Sequence, residues 1–395
     1  MKKIGFVIPW YSENIPGGAE MELRGITTHL HNAGIAVEIL ATCVKDFSSD
    51  WNENYFPEGT DTVHGFTIRR FKVRKRDSAA FDAVNFKLIN NRRITAGEEK
   101  IFIDEMINSP DLCSYIAEHK DEYSVFVFIP YMFGTTYNGL KVCPEKSVLI
   151  PCFHDESYLY MDIFKDVFQN IAGIVYNAEP EYKLANSVFD LKNVRQIVMG
   201  IGMDTHLTCD PDAFRRKFGI NSPFILYAGR KDSGKNVDTL VKYYAEYLKR
   251  RDTELKLVLI GGGKIDLPRE LTDSGRIVDL GFVDIQDKYN AQAAAELLCQ
   301  PSKHESFSLV IMESWLCGRP VLVSEDCNVT KHFVCESNGG LYFKDYFDFE
   351  GCVDYIVNHR DIAAAMGENG KQYVKDHFAW DVITRKYIKF FEGIV

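Results

Sequence analysis

The chain has 395 residues, of which 46% are hydrophobic and 26% are charged, and it contains no low-complexity tract. This length exceeds what one hydrophobic core usually supports, so the chain is predicted to form two well-packed domains, and a disordered protein is excluded. The formal net charge of -10 argues against a general nucleic-acid binder, because phosphate contacts require a basic surface.

The N-terminal half alternates short apolar runs with amphipathic stretches. Residues 4–9 form an apolar run, and a Gly-containing loop separates it from a stretch with helical periodicity at 19–33. Further apolar runs follow at 37–41, 125–129, 148–150 and 171–176. This alternation predicts a parallel sheet covered by helices.

A second series of strands and helices begins after Asp210-Pro-Asp212, with apolar runs at 224–228, 255–260, 277–280, 297–299 and 320–323. The predicted fold class is therefore α/β, with two Rossmann-like, doubly wound domains facing each other across a cleft. The first domain is predicted to cover 1–204 and the second 205–379. Since ligands of open α/β sheets bind at the carboxyl ends of the strands, we expect the substrate in this cleft.

Cysteine usage and hydropathy predict a cytoplasmic protein. The ten cysteines are scattered from Cys43 to Cys352 without a CxxC spacing, which favours a reducing compartment. The first apolar run is too short for a secretory signal, and no run approaches the roughly 20 residues that span a bilayer. Any membrane contact is therefore expected to be peripheral, on the inner face of the membrane.

A basic stretch is the main departure from the acidic composition. It places six cations in eight positions, namely Arg69, Arg70, Lys72, Arg74, Lys75 and Arg76. One interpretation is a solvated strand edge or loop. The other is contact with anionic lipid headgroups or with a phosphorylated acceptor.

Two glutamates mark the richest segment, residues 301–320, which directly follows the run at 297–299. If Glu305 and Glu313 lay on one helix, they would be about 12 Å apart, too far for the acid/base pair of a glycosidase. Carboxylates at that separation suit the sugar and the ribose of one nucleotide sugar. The amides of Ser308 and Leu309, near the start of this helix, would then face the phosphates.

A second candidate segment contains Gly229, Arg230 and Lys235, where a predicted strand gives way to a helix. Two fixed cations there would stabilise the negative charge of a departing nucleoside diphosphate, as a divalent metal otherwise does. An ordinary salt-bridged loop is the alternative.

The N-terminal half offers two weaker candidates. Gly17 and Gly18 separate the first predicted strand from the first helix, where the backbone can approach a phosphate. A tight turn without a ligand has the same pattern. His154 follows the run at 148–150 and faces the substrate or serves as a structural histidine.

Two further patterns resemble known motifs. Asp210-Pro-Asp212 matches the DxD of metal-dependent transferases, but an acidic N-cap followed by Pro at the first helical position explains it better. Gly261-Gly262-Gly263 follows a predicted strand and is placed to line a diphosphate. It lacks the complete dinucleotide fingerprint, which disfavours an NAD enzyme.

Together these residues resemble a known family. From 224 to 323, the Gly229-Arg230 pair, Lys235 and the two glutamates stand in the order and spacing of the retaining GT-B glycosyltransferases of family four, the glycosyl transferases group 1. The resemblance implies that Arg230 and Lys235 hold the donor diphosphate. It also implies that Glu305 lies beside the donor sugar and that Glu313 binds the ribose.

The resemblance extends to the remaining candidates. It implies phosphate-binding amides at Ser308 and Leu309, an approach of Gly18 to the donor, and a position of His154 near the sugar and the acceptor. The family's last helix crosses back to the first domain, which would be residues 380–395 here. Two departures are Ser308, where the family usually has glycine, and Trp315, which we interpret as core packing.

The function implied by the resemblance is retaining transfer from a nucleotide diphosphate sugar to a glycan or lipid-linked acceptor in cell-surface polysaccharide synthesis. No cofactor and no catalytic metal are expected, and the nucleotide sugar is a co-substrate. Two alternatives stay open: a non-catalytic nucleotide-sugar-binding subunit of another transferase, and a GT-B-like nucleotide-sugar epimerase.

Overall fold

The chain divides into two compact α/β units in a computed structural model that describes residues 2–12 and 17–394. Unit 1 comprises Met1–Gly202 and Trp380–Val395, and unit 2 comprises Met203–Ala379. The first boundary lies two positions before the predicted one at 204, and the chain returns to unit 1 at the predicted position. Pro16, which precedes the Gly17-Gly18 pair, lies outside the described residues.

Unit 1 is built on an eight-stranded sheet with the order β3-β4-β2-β1-β5-β6-β7-β8. All neighbouring strands are parallel except β3 and β4. The strands are β1 (Lys3–Val7), β2 (Val37–Thr42), β3 (Gly59–Val63), β4 (Phe66–Phe71), β5 (Tyr123–Phe128), β6 (Ser147–Leu149), β7 (Gly173–Tyr176) and β8 (Arg195–Val198). Every residue of β5 is buried, as expected for a central strand with helices on both faces.

Unit 2 is built on a six-stranded parallel sheet with the order β11-β10-β9-β12-β13-β14. Its strands are β9 (Phe224–Ala228), β10 (Lys256–Ile260), β11 (Ile277–Asp279), β12 (Leu297–Gln300), β13 (Val321–Ser324) and β14 (Gly340–Phe343). The prediction of a doubly wound α/β fold with two parallel-dominated sheets is confirmed.

The helices connect these strands and cover the sheets. In chain order they are α1 (Gly18–Asn32), α2 (Ser78–Ile89), α3 (Ala96–Asp104), α4 (Pro110–His119), α5 (Gly134–Leu140), α6 (Lys165–Phe168), α7 (Glu179–Val188), α8 (Pro211–Phe218), α9 (Val237–Arg250), α10 (Arg269–Asp273), α11 (Ile285–Ala294), α12 (Leu309–Leu316), α13 (Asn328–Ser337), α14 (Tyr346–Asn358), α15 (Arg360–Phe378) and α16 (Trp380–Glu392). Among the described residues, the helices include none with the length and apolar character needed to cross a bilayer.

Two local predictions are confirmed in unit 2. The Asp210 side chain accepts hydrogen bonds from the amides of Asp212 and Ala213 and so caps α8, with Pro211 in its first turn. Trp315 is fully buried, and its indole Nε1 donates to the Gly339 carbonyl at 2.7 Å. This Trp315 is therefore core packing, as predicted.

The basic stretch runs from a strand inside the sheet into the loop that follows it, so its interpretation as a strand edge is wrong and its interpretation as a loop holds for residues 72–76. Its first two arginines lie in β4, which pairs with β2 on one side and β3 on the other. Four of its six cations form ion pairs within unit 1: Arg69 with Glu38, Arg70 with Asp61, Lys72 with Glu58 and Arg74 with Glu105. Most of this positive charge is therefore compensated inside the unit.

Candidate functional site

The candidate residues of unit 2 follow three neighbouring strands at their carboxyl ends. β9 lies between β10 and β12 in the sheet, so the loops that leave these strands are adjacent. This edge is where open α/β sheets bind ligands.

Close backbone contact explains the glycines in the first two loops. The Gly229 amide donates to the Ile260 carbonyl at 2.9 Å, and the Lys231 amide donates to the Gly262 carbonyl at 2.7 Å. Gly261 has φ of +123°, and a Cβ there would lie 2.0 Å from the Gly229 carbonyl oxygen. These glycines allow the two loops to run side by side whether or not a ligand is bound.

A tight turn after β9 organises the two predicted cations. The Asp232 carboxylate lies 3.3 Å from Arg230 Nε and accepts the Lys235 amide at 3.1 Å. The Arg230 side chain is 71% exposed, so it is open to an incoming anion. Asp232 thus joins Arg230 to Lys235 through the backbone of the same turn.

The Lys235 side chain reaches the loop after β12. Its Nζ lies 2.7 Å from Glu305 Oε1, and the same oxygen accepts a hydrogen bond from Gln300 Nε2 at 3.0 Å. Asn236 Nδ2 donates to the Pro301 carbonyl at 3.1 Å and fixes the same two loops together. The structure therefore brings Lys235 and Glu305 into direct contact, and it adds Gln300, which the sequence analysis did not single out.

Ser308 stands at the N-terminus of α12 in an unusual conformation. Its φ and ψ are +81° and +79°, in the left-handed region, and its side chain makes no capping hydrogen bond. The hydroxyl is buried and has no hydrogen-bond partner among the described residues. A left-handed serine costs about 1–2 kcal/mol relative to glycine, and the free amides of this helix end are suited to an anion.

Glu313 lies within α12, whereas Glu305 precedes the helix. The two glutamates therefore do not share one helix, because the chain becomes helical only at Leu309. The Glu313 carboxylate accepts from Lys288 Nζ at 2.7 Å and from Gln292 Nε2 at 3.3 Å. Both partners stand one turn apart on α11, and the sequence analysis missed them because nothing in the sequence places α11 beside α12.

An ion pair between the buried Lys231 and Asp279 connects the loop after β9 to the end of β11. The Lys231 side chain is 1% exposed and lies 2.5 Å from an Asp279 carboxylate oxygen at the end of β11. Asp279 also accepts the Gly281 amide at 3.0 Å. Because Lys231 is buried and paired, the neighbouring Arg230 is the cation of this loop that is available to solvent.

In unit 1 the Gly17-Gly18 pair starts α1. Gly17 is the N-cap residue, and a Cβ at this position would lie 1.9 Å from an oxygen of the Glu20 carboxylate. Glu20 also accepts a hydrogen bond from the Trp10 indole at 2.5 Å. Glycine at 17 thus makes room for the protein's own carboxylate, which competes with a phosphate for this helix end.

His154 lies in the loop after β6, as predicted. Its Nδ1 is 3.6 Å from Glu156 Oε1, and its side chain is 29% exposed. The preceding Cys152 has φ of +56°, so the loop turns sharply before the histidine. His154 is accessible within unit 1 and contacts a carboxylate.

Two buried glutamates lie next to this loop. Glu22 and Glu181 are each 1% exposed, and Asn177 donates to both, from Nδ2 to Glu22 at 3.0 Å and from its backbone amide to Glu181 at 2.6 Å. Burial raises the pKa of Glu22 to about 8. Glu181 also accepts the Phe153 amide at 2.7 Å, which favours its charged form. Burial nevertheless raises the pKa of Glu181 to about 8 as well.

Comparison with known proteins identifies a family model that matches most of unit 2, and relatives that match part of the chain. Residues 210–373 match the family model of the glycosyl transferases group 1. An uncharacterized glycosyltransferase of Methanocaldococcus jannaschii is 27% identical over 187 residues, which are 45% of this chain and 47% of the relative. The match therefore spans about half of that relative's length.

Solved structures match over the whole chain at low identity. Sucrose-phosphate synthase from Thermosynechococcus elongatus aligns with a TM-score of 0.71 and 16% identity, covering 100% of this chain and 99% of that one. Anabaena HepE in complex with UDP and glucose aligns with a TM-score of 0.70 and 15% identity, covering 99% and 100%. Residues 210–373 therefore resemble the glycosyl transferases group 1, as the sequence analysis inferred from 224–323, and the chain has the GT-B fold.

Proposed function

We propose that this protein transfers a sugar from a nucleoside diphosphate sugar to an acceptor hydroxyl, with retention of configuration. The observation that carries the proposal is the contact of Lys235 with Glu305 at 2.7 Å, beside the open helix end at Ser308. It combines a cation for a diphosphate, a carboxylate for sugar hydroxyls and free amides for phosphate oxygens in one pair of loops.

Six candidate residues of unit 2 have defined roles in this proposal. Arg230 and Lys235 stabilise the negative charge that develops on the departing diphosphate, in the place that a divalent metal takes in other transferases. Glu305 accepts hydrogen bonds from the donor sugar, and Glu313 accepts them from the ribose. The amides of Ser308 and Leu309 bind phosphate oxygens.

The chemical step is a transfer on one face of the sugar. The bond from the anomeric carbon to the phosphate oxygen breaks, and a bond from the same carbon to the acceptor oxygen forms. The acceptor proton passes to the departing phosphate oxygen. This step uses no protein nucleophile, and fixed cations beside the diphosphate lower its barrier.

The donor and acceptor classes are part of the proposal. HepE was solved with UDP and glucose, so UDP-glucose is the first donor to test. A glycan or lipid-linked acceptor of cell-surface polysaccharide synthesis is proposed from the family resemblance. The proposed function includes no membrane contact through the basic stretch at 69–76, because four of its six cations already have carboxylate partners.

Donor turnover tests the function. The protein is incubated with a panel of nucleoside diphosphate sugars, and released nucleoside diphosphate is measured together with the anomeric configuration of the product by NMR. The double variant Arg230→Ala/Lys235→Ala should lose release by several orders of magnitude while remaining folded. The matched double variant Arg216→Ala/Lys249→Ala removes two exposed, ion-paired cations of unit 2 and should retain activity.

The same assay separates the alternatives. Donor binding without turnover favours a nucleotide-sugar-binding subunit, and donor conversion without release of nucleoside diphosphate favours an epimerase. Inversion at the anomeric carbon, or normal turnover in the Arg230→Ala/Lys235→Ala variant, would refute the proposed mechanism.

A further inference from the structure

An aromatic cluster lies at the carboxyl edge of the unit 1 sheet. Trp10 follows β1, Phe47 and Trp51 follow β2, and Phe133 follows β5. The Trp10 and Trp51 rings stack with centroids 5.9 Å apart, and Phe133 meets Trp10 edge-on at 5.1 Å. The cluster therefore gathers side chains from three strand ends at the edge where such sheets bind ligands.

Part of this cluster faces solvent on an ordered loop. Phe47 is 62% exposed, so its ring is open to solvent. The loop is nevertheless held, because Ser48 donates its amide to Asp46 at 2.9 Å and the Trp51 indole donates to the Phe47 carbonyl at 3.1 Å. An exposed ring held this way loses little conformational entropy when a ligand covers it.

Arg76 packs against the same aromatic rings. Its guanidinium carbon lies 4.9 Å from the centroid of Trp51 and 4.4 Å from that of Phe81. Its backbone is fixed by Asn52, which accepts the Arg76 amide at 2.7 Å and donates to the Arg76 carbonyl at 3.3 Å. The guanidinium plane is therefore held in place beside the exposed loop.

The charge of Arg76 is not balanced by an ion pair with a described residue, whereas four other cations of the basic stretch have carboxylate partners. Nε and Nη1 are buried without a hydrogen-bond partner, and the guanidinium forms no ion pair with the described residues. Burial lowers the pKa of Arg76, against the weaker attraction of Asp50, Asp82 and Glu105. Leaving these two donors unpaired costs on the order of 1–3 kcal/mol. Because protein atoms cover both of them, Nη2 is the nitrogen that is left for an anionic ligand.

We propose that Phe47, Trp51 and Arg76 form a binding site for a saccharide that carries a carboxylate or a phosphate. The exposed Phe47 ring covers the apolar face of the sugar, and the remaining guanidinium nitrogen, Nη2, donates to the acidic group. Naming this saccharide as the acceptor rests on the proposed transferase function, whereas the recognition of an acidic sugar rests on the side chains of this site.

Binding measured without a donor tests the proposal. D-glucuronic acid, glucose 6-phosphate, glucose and inorganic phosphate are titrated by NMR into the wild-type chain and its variants. We expect one of the two acidic sugars to bind roughly tenfold or more tightly than glucose. Arg76→Gln should remove this preference. Phe47→Ala, a change at an exposed side chain, should weaken the binding of the preferred acidic sugar and of glucose. Arg385→Gln removes an exposed arginine of unit 1 and should change neither.

Each outcome decides the assignment. The two acidic sugars distinguish a carboxylate from a phosphate ligand. Equal binding of glucose and both acidic sugars, or a preference that survives in Arg76→Gln, overturns the proposal. Inorganic phosphate that binds as tightly as glucose 6-phosphate and is insensitive to Phe47→Ala overturns the saccharide part. Thermal unfolding verifies each variant. If Arg76→Gln does not fold, Arg76→Lys, which keeps the charge but not the position of Nη2, should retain only part of the preference. Because no donor is used, this result is independent of the turnover assay.

Discussion

Lys235 Nζ lies 2.7 Å from Glu305 Oε1, and this ion pair connects the loop after β9 to the loop after β12. The two side chains are 22% and 11% exposed, so water screens the pair only partly. An incoming diphosphate would compete with Glu305 for Lys235. The Glu305 carboxylate would then be free to accept hydrogen bonds from sugar hydroxyls. The pair thus couples the phosphate and sugar ends of the proposed donor site.

Replacing Lys235 by Ala should lower kcat/KM for the donor by roughly 100-fold to 1,000-fold, the usual effect of removing one group that stabilises transition-state charge. Nucleoside diphosphate release measures this change. Lys249→Ala removes a lysine of the same unit that is 69% exposed and paired with Glu246, and it should leave kcat/KM unchanged. A Lys235→Ala variant with the wild-type kcat/KM would remove Lys235 from the donor site.

Ser308→Gly should stabilise the protein and weaken donor binding at the same time. Glycine accepts the left-handed backbone and relieves about 1 kcal/mol, whereas loss of the buried hydroxyl removes a hydrogen bond to phosphate, roughly tenfold in Kd. Urea unfolding and titration with UDP measure the two effects. Ser308→Ala keeps the strain and loses the hydroxyl, so it should weaken UDP binding without the gain in stability.

A matched control comes from Asn338, which also has a positive φ, +51°, at the end of α13. Asn338→Gly should not lower stability and should leave UDP binding unchanged. Unchanged UDP binding in both Ser308 variants would mean that the hydroxyl has no role in phosphate recognition.

The sequence predicted the sheets well wherever strands are buried on both faces. The runs at 224–228 and 255–260 are continuous apolar segments, and they became β9 and β10. β4 was missed because Arg69 and Arg70 interrupt its apolar residues. Arg70 is nevertheless only 3% exposed, since its charge is paired with Asp61 across the β3-β4 hairpin, and such pairing follows from the tertiary fold.

From the sequence, only the candidate-site residues in loops that follow predicted strands could be identified. Lys235 and Glu305 were each placed after a predicted strand, and they meet because these two strands are neighbours in the sheet. Lys288 and Gln300 were not identified, because a lysine on a helix and a glutamine ending an apolar strand have ordinary local patterns. Their importance comes from the carboxylates that the fold sets beside them.

Lys288→Met should destabilise the protein by about 3 kcal/mol, because it leaves the Glu313 carboxylate, 5% exposed, without its cation. Adding Glu313→Gln should recover much of this loss, and urea unfolding of the single and double variants measures the coupling. The Lys217–Asp287 pair joins the same helix α11 to α8, but Lys217 is 54% exposed. Lys217→Met should therefore cost less than about 1 kcal/mol. Equal losses of unfolding free energy in the two single variants would show that burial does not make the Lys288–Glu313 pair more important for stability.

Glu22→Gln should remove part of the pH dependence of stability. The pKa of Glu22 is raised to about 8 by burial, so the folded state binds more protons than the unfolded state between the ordinary carboxyl pKa of 4.5 and 8. The contribution of Glu22 is then complete below pH 4.5 and declines by at most about 1.4 kcal/mol per pH unit as the pH rises toward 8. Urea unfolding at pH 5.5 and 8.5 should show a smaller decline for Glu22→Gln than for the wild type. Glu118→Gln, at an exposed position of α4, should retain the wild-type decline, and an unchanged decline in Glu22→Gln would mean that Glu22 is ionised in the folded protein.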